Sequence, residues 1–337
     1  MRSIKHLTLA LAAGAAGLAL AGPALALDEV SFGTNWLAEA EHGGFYQAVA
    51  DGTYEKAGLK VTIVQGGPQA ANRQLELAGK VTFFMAGNLL EPFNAADQGI
   101  PLMEVAGIFQ KDPQILMAHP DAGIDTFADL AKLQTLFLGK DMFASDFQWM
   151  KSAYTGFKDE QYKPYNFNPG PFVADKNSGQ QGYATSEPYA VKAAAGWDPK
   201  VFLLADNGWS TYSTMIEGKQ DYVAAHKDIV QRFVDASAIG WYNYLYGDNK
   251  AANELIKKDN PEMTDDQIAF SIKVMKDSGL VVSGDALTGG IGCMTDARVK
   301  DFYDKMVKAG VIKAGLDYSK NYTTEFVCKK VGMDLAK

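Results

Sequence analysis

Only 2 cysteines and 4 histidines occur in 337 residues. Two thiols cannot build a disulfide-dense scaffold, an iron–sulfur cluster or a cysteine-rich zinc site. Beyond the first few residues the histidines are His42, His119 and His226, too far apart for an HExxH or paired-histidine metal motif. Lysine and arginine (32) are outnumbered by aspartate and glutamate (40), the net charge is −8, and no basic run is present. Nucleic acid and anionic membrane surfaces are therefore not expected partners. There is no GxSxG, so no nucleophile elbow. Gly79-Lys80 and Gly139-Lys140 lack the earlier glycine of a phosphate-binding loop, and Gly290-x-Gly292 reads as a turn. No cofactor, no metal and no catalytic activity are expected.

Long apolar runs are also scarce. The one at the start, Leu7 to Ala21, follows Arg2, Lys5 and His6 and precedes a small-x-small triplet, Ala24-Leu25-Ala26. It is shorter than the ~20 residues needed to span a bilayer. Residues 1–26 therefore read as a secretory signal peptide cleaved after Ala26. No lipobox cysteine is present, and a periplasmic location is expected. Cys293 and Cys328 would then meet an oxidising compartment, as a structural disulfide or as two separate buried thiols.

What remains is an ordinary globular composition, 47% hydrophobic and 21% charged, long enough for one large or two medium domains. Strands are expected at 29–36, 59–64, 81–85 and 101–109, alternating with helices at 44–50, 54–57, 69–78 and 89–98. That alternation predicts βαβ units and a mainly parallel sheet. A second α/β unit has strands at 135–138, 179–185 and 201–204, with helices starting near Ser145 and Pro188. From His226 onward the pattern is helical. Thr264 to Gln267 forms a capping box, and Thr295 caps a last helix that stops at Gly310.

The expected fold is α/β and bilobal, with two mixed, mainly parallel sheets and a hinge. Lobe 1 takes residues 27–118, lobe 2 takes 119–207, and 208–337 returns to lobe 1. Ligands in open α/β sheets sit beyond the carboxyl ends of strands, so two facing lobes would share one cleft. The polar and aromatic residues at those strand ends are the candidate ligand contacts. They are Asn35, Trp36, His42 and Tyr46 near the first strand, and Gly87 and Asn88 after the third. The second unit adds Ser145, Asp146, Phe147, Trp149, Tyr183 and Glu187. Trp209 and Tyr212 follow the return crossing. Each also has an ordinary structural reading, as core ring, helix cap or surface charge.

Five stretches carry a family resemblance. Asn35-Trp36 is followed by His42-Gly43-Gly44-Phe45-Tyr46-Gln47-Ala48 and by Gly52-x-Tyr54-Glu55-Lys56-Ala57-Gly58-Leu59. Thr185-Ser186-Glu187-Pro188 and Met306-Val307-x-Ala309-Gly310-Val311 continue it. Together they resemble the NMT1/THI5-like, SsuA/ThiY-like solute-binding proteins. The resemblance implies a type II periplasmic-binding-protein fold that captures a small molecule by hinge closure and delivers it to an inner-membrane ABC permease, here as an expected monomer. It also implies ligand contact by Asn35, Trp36, His42 and Glu187. One eukaryotic branch of the group holds pyridoxal phosphate on a lysine after the third strand. Ala86 stands at that position here and Leu90 at the histidine that follows, so the Schiff-base amine is missing.

Aromatic rings with carboxylates and few cations point to a neutral or weakly basic planar nitrogen heterocycle, of the pyrimidine or thiamine-precursor type. The alternative ligand is a sulfonate or aromatic-acid anion, for which Arg73 and Lys140 are the nearby cations. A secreted enzyme using Asp146 and Glu187 as an acid–base pair is the remaining alternative.

Overall fold

The computed structural model describes residues 26–67 and 70–336. The expected signal peptide lies outside the described residues apart from Ala26. Among the described residues no helix is long and apolar enough to cross a membrane.

Ten strands form two five-stranded sheets. In chain order they are β1 (Asp28–Gly33), β2 (Leu59–Val64), β3 (Phe83–Asn88), β4 (Leu102–Phe109), β5 (Gln114–Ala118), β6 (Thr135–Leu138), β7 (Tyr162–Pro164), β8 (Ser178–Tyr183), β9 (Lys200–Leu203) and β10 (Ser213–Lys219). The first sheet has the order β2-β1-β3-β10-β4 and the second β7-β6-β8-β5-β9. In each, four strands run one way and a single inner strand, β10 or β5, runs against them. The fold is the expected mixed, mainly parallel, two-lobed α/β arrangement.

The chain crosses between sheets twice, from β4 to β5 and from β9 back to β10. β5 pairs with β8 and β9, so residues 114–118, read from sequence as the end of lobe 1, belong to the second sheet. Three strands, β5, β7 and β10, have no counterpart in the sequence reading. β10 is buried along six of its seven residues yet reads Ser-Thr-Met-Ile-Glu-Gly-Lys. Its polar Ser213, Thr214 and Glu217 hide it from a search for apolar runs or alternation.

The core of lobe 1 is aromatic. Phe32 of β1 packs on Phe45 and Phe233, and Phe233 stacks on Phe83 with 4.7 Å between centroids. The helix Gly43–Ala50 lies directly on the long helix Lys227–Tyr246. A side chain at Gly44 would sit 2.1 Å from the Trp241 ring and one at Gly43 2.0 Å from Tyr244. The glycines after His42 are thus explained by helix packing. Cys293 and Cys328 are joined in a disulfide, which settles the open choice between a bridge and free thiols. It fastens the C-terminal tail near β4, where Gly107 bridges Gly292 and Glu104 bridges Tyr322.

Candidate functional site

The carboxyl ends of β1, β3 and β8 and the amino end of β10 face a cleft of about 680 Å³ between the lobes. Its first wall is the turn after β1. Thr34 Oγ1 donates to the Trp36 carbonyl and accepts from Gly66 N–H, both at 2.8 Å. The Asn72 amide donates to the carbonyls of Thr34 and Val64 at 3.0 and 2.9 Å. This network fixes the backbone from which Asn35 and Trp36 enter the cleft. Glu39, Glu41 and His42 follow on the same wall. His42 is buried and neither ring nitrogen has a hydrogen-bond partner. Glu39 lies 3.9 Å away, too far for a hydrogen bond, and burial pushes the imidazole down to about 3, so it is neutral.

The opposing wall carries Glu187, the first residue of the helix Glu187–Ala195. A Cβ at Gly182 would lie 2.5 Å from that of Glu187, so only glycine lets the carboxylate tuck against β8. Glu187 Oε2 accepts from Tyr183 N–H at 2.6 Å and from Ser186 Oγ at 2.5 Å. Asp146 opens the helix Asp146–Ala153 and accepts from the Ser145 hydroxyl at 2.6 Å. Between the walls, on the first crossing, Asp112 accepts from Gln114 N–H, the Asn88 amide and the Trp209 indole N–H at 3.1–3.3 Å.

Electrostatically the cleft is one-sided. Burial holds Glu39 and Glu41 above the usual carboxylate range, and charge repulsion from Glu187 across the cleft adds to it. Burial raises Glu187 as well, against its own hydrogen bonds. Asp146 is pushed up to about 7 by burial and by Asp112, and Asp112 to about 6 by burial. No lysine or arginine among the described residues lines the cleft. Arg73 is paired with Glu91 and, at 2.9 Å, with Glu217, and neither it nor the exposed Lys140 is part of the lining.

Nine of the residues singled out from sequence line this cleft: Asn35, Trp36, His42, Gly87, Asn88, Ser145, Asp146, Tyr183 and Glu187. Five do not. Tyr46 is buried and donates to Asp259 at 2.8 Å. Phe147 is in the lobe 2 core, and Trp149 packs on Trp209 with 5.2 Å between centroids. Trp209 reaches the cleft only through Asp112. Tyr212 donates to Asp285 and lies under the guanidinium of Arg298. These rings sit at helical spacing or beside a crossing, where packing needs large side chains as much as a ligand would.

Sequence reasoning missed Glu39, Glu41, Asp112 and Phe167. Glu39 precedes and Glu41 lies within the single 3-10 turn Ala40–His42, and acids in so short a segment read as solvated charge. Asp112 sits in the short crossing between β4 and β5, which only the sheet topology reveals. Phe167 enters from a loop of lobe 2 with no periodic pattern.

The family model described as NMT1/THI5 like matches residues 39–252. Among solved structures, the periplasmic sulfonate-binding protein SsuA of Methylobacillus flagellatus superposes with TM-score 0.60 at 14% identity, covering 89% of this chain and 93% of that one. The periplasmic nitrate-binding protein NrtA of Synechocystis gives 0.57 at 10% identity, covering 92% and 88%. The desulfurization enzyme DszB gives 0.54 at 12%, covering 92% and 100%. At these identities the likeness is one of fold. No curated protein matches the chain in sequence.

Proposed function

The chain belongs to the NMT1/THI5-like family, and from that premise we propose that it is a periplasmic solute-binding protein of an ABC importer. It captures a small planar nitrogen heterocycle of the pyrimidine or thiamine-precursor type and presents it to an inner-membrane permease. The observation that carries this reading is that Trp36 on one lobe and Glu187 on the other line the same cleft. A ring face supplies stacking surface, and a carboxylate held by backbone and hydroxyl donors still has lone pairs for ligand N–H groups. A ligand bridging both walls favours the closed state by its differential affinity for it.

The anion alternative is weakened by the helix starts. An anion could sit at the first turn of Asp146–Ala153 or of Glu187–Ala195. In both helices that first turn already carries the protein's own carboxylate. Binding without turnover is expected. The sequence has no nucleophile-elbow, metal or cofactor motif to accompany Asp146 and Glu187.

A thermal-shift panel tests the assignment. Aminopyrimidines, nucleobases and flavins are compared with taurine, alkanesulfonates, nitrate and aromatic carboxylates. A ligand at 100 times its Kd stabilises the fold by about 2.7 kcal/mol, a shift of roughly 4 °C for a chain of this length. Shifts confined to the heterocycles support the reading, and loss of the shift in Glu187→Gln ties it to this cleft. Shifts only with the anions refute it.

A further inference from the structure

We infer that the solute occupying this cleft carries a positive charge, so that within the heterocycle class proposed above the cleft selects the cation over its neutral counterpart. The inference rests on that reading and on three features of the cavity.

First, the acids come from both lobes and converge. Glu39 and Glu41 stand on one wall, Glu187 and Asp146 on the other, and Asp112 on the crossing between them. Second, none of the five forms an ion pair with a lysine or arginine among the described residues, which hold 20 such pairs elsewhere, and His42, 3.9 Å from Glu39, is neutral. Of the two further acids lining the cavity, half-buried Glu91 is paired with Arg73 and Asp141 is exposed to solvent. The five acids that converge on the cavity are thus left without a cationic side chain of the protein against them. Third, His42 stands among Glu39 and Glu41, buried, neutral and with both ring nitrogens unpartnered. A buried polar ring left without partners costs free energy unless something else in the cavity meets it. A neutral imidazole offers one donor and one acceptor to the polar groups of a ligand whose charge faces the carboxylates.

The physical consequence follows from desolvation. Carboxylates withdrawn from water and set against one another hold protons, and they ionise only when a cation replaces those protons. A neutral heterocycle leaves the carboxyls protonated and gains no charge attraction from them. A cation takes the place of those protons, and its aromatic ring can at the same time lie against Trp36.

The test uses matched pairs. Nicotinamide and 1-methylnicotinamide form one pair, and a pyridine and its N-methylpyridinium form another. Thiamine and an uncharged aminopyrimidine are added. Each is titrated calorimetrically into the full mature chain, and into Glu39→Gln and Glu41→Gln. The expected result is that the cation of a pair binds roughly tenfold or more tightly than the neutral form. Each Gln variant should narrow that ratio without loss of melting temperature. Equal or tighter binding of the neutral members overturns this inference and leaves the heterocycle reading standing. No binding by any member at millimolar concentration, with binding of a sulfonate or nitrate, overturns both.

Discussion

The indole of Trp36 and the ring of Phe167 meet across the mouth of the cleft, with 5.9 Å between centroids and 31° between planes. One comes from each lobe. Phe167 is 69% exposed, and its backbone is in the left-handed region at φ 56°, which non-glycine residues adopt rarely. A phenyl ring held out in this way does nothing for the core. Among the described residues its aromatic partners are Tyr165 and the tryptophan of the other lobe. Phe167→Ala should leave the melting temperature of the free protein within about 2 °C. Ligand release, followed by tryptophan fluorescence with the best-binding heterocycle of the panel, should accelerate about two- to tenfold. An unchanged release rate would show that the contact does not hold the lobes together.

Arg298 fastens both crossings at once. It donates to the Gln110 carbonyl on the first, and to the Ser210 and Thr211 carbonyls on the second at 2.8 and 3.1 Å. Its guanidinium stacks 4.1 Å over the Tyr212 ring. Arg298→Met should cost about 2–4 kcal/mol through these unsatisfied carbonyls, lowering the melting temperature by roughly 3–6 °C. Arg298→Lys should recover little, because a point ammonium cannot serve three carbonyls and a ring face together. Full rescue by lysine in a thermal melt would contradict this account.

Lobe 1 hides a second set of acids away from the ligand. Glu76, Glu104 and Glu217 are buried together, and Arg73 reaches Glu217. Burial first and Glu217 second push Glu76 up to about 10, and the same causes raise Glu104 well above its ordinary value. A carboxyl raised in the folded state holds its proton where the unfolded chain has lost it. Stability from these groups is therefore full below the ordinary carboxylate range and declines as pH rises through the folded values. Unfolding midpoints should fall from about pH 5 toward pH 9. Glu104→Gln should flatten that slope and raise stability at the alkaline end. A slope unaltered by Glu104→Gln would place the titration elsewhere.

The disulfide closes a loop with a sequence separation of 35. Chain-entropy arguments give about 3–4 kcal/mol for such a loop. Reduction, or the Cys293→Ser, Cys328→Ser double variant, should lower the denaturation free energy by that order in a urea titration. A change below about 0.5 kcal/mol would indicate that the tail is held by its bridges to β4 alone.

The fold was legible where chemistry and periodicity agreed. β1 to β4 alternate with helices at regular intervals, and Gly99 and Gly310 stand just past helix ends at positive φ. β10 was not legible because a central strand with Ser213, Thr214 and Glu217 owes its burial to neighbours far away in sequence. The cleft was legible at Trp36 and Glu187, where a ring and a carboxylate stand at strand ends. Trp209 and Tyr212 were misplaced because a crossing segment needs large buried rings, and sequence cannot tell a hinge ring from a ligand ring. Glu39 and Glu41 were missed because solvated and cleft-facing acids look alike until the second lobe is brought opposite them.

The central claim is that the cleft holds a basic nitrogen heterocycle. Its most direct test is mass spectrometry of the small molecules released by denaturing protein purified from a periplasmic extract without dialysis. The account predicts a nitrogen heterocycle in near-equimolar amount, recovered chemically unaltered and absent from Glu187→Gln prepared in parallel. A sulfonate, nitrate or aromatic acid in that amount would contradict it.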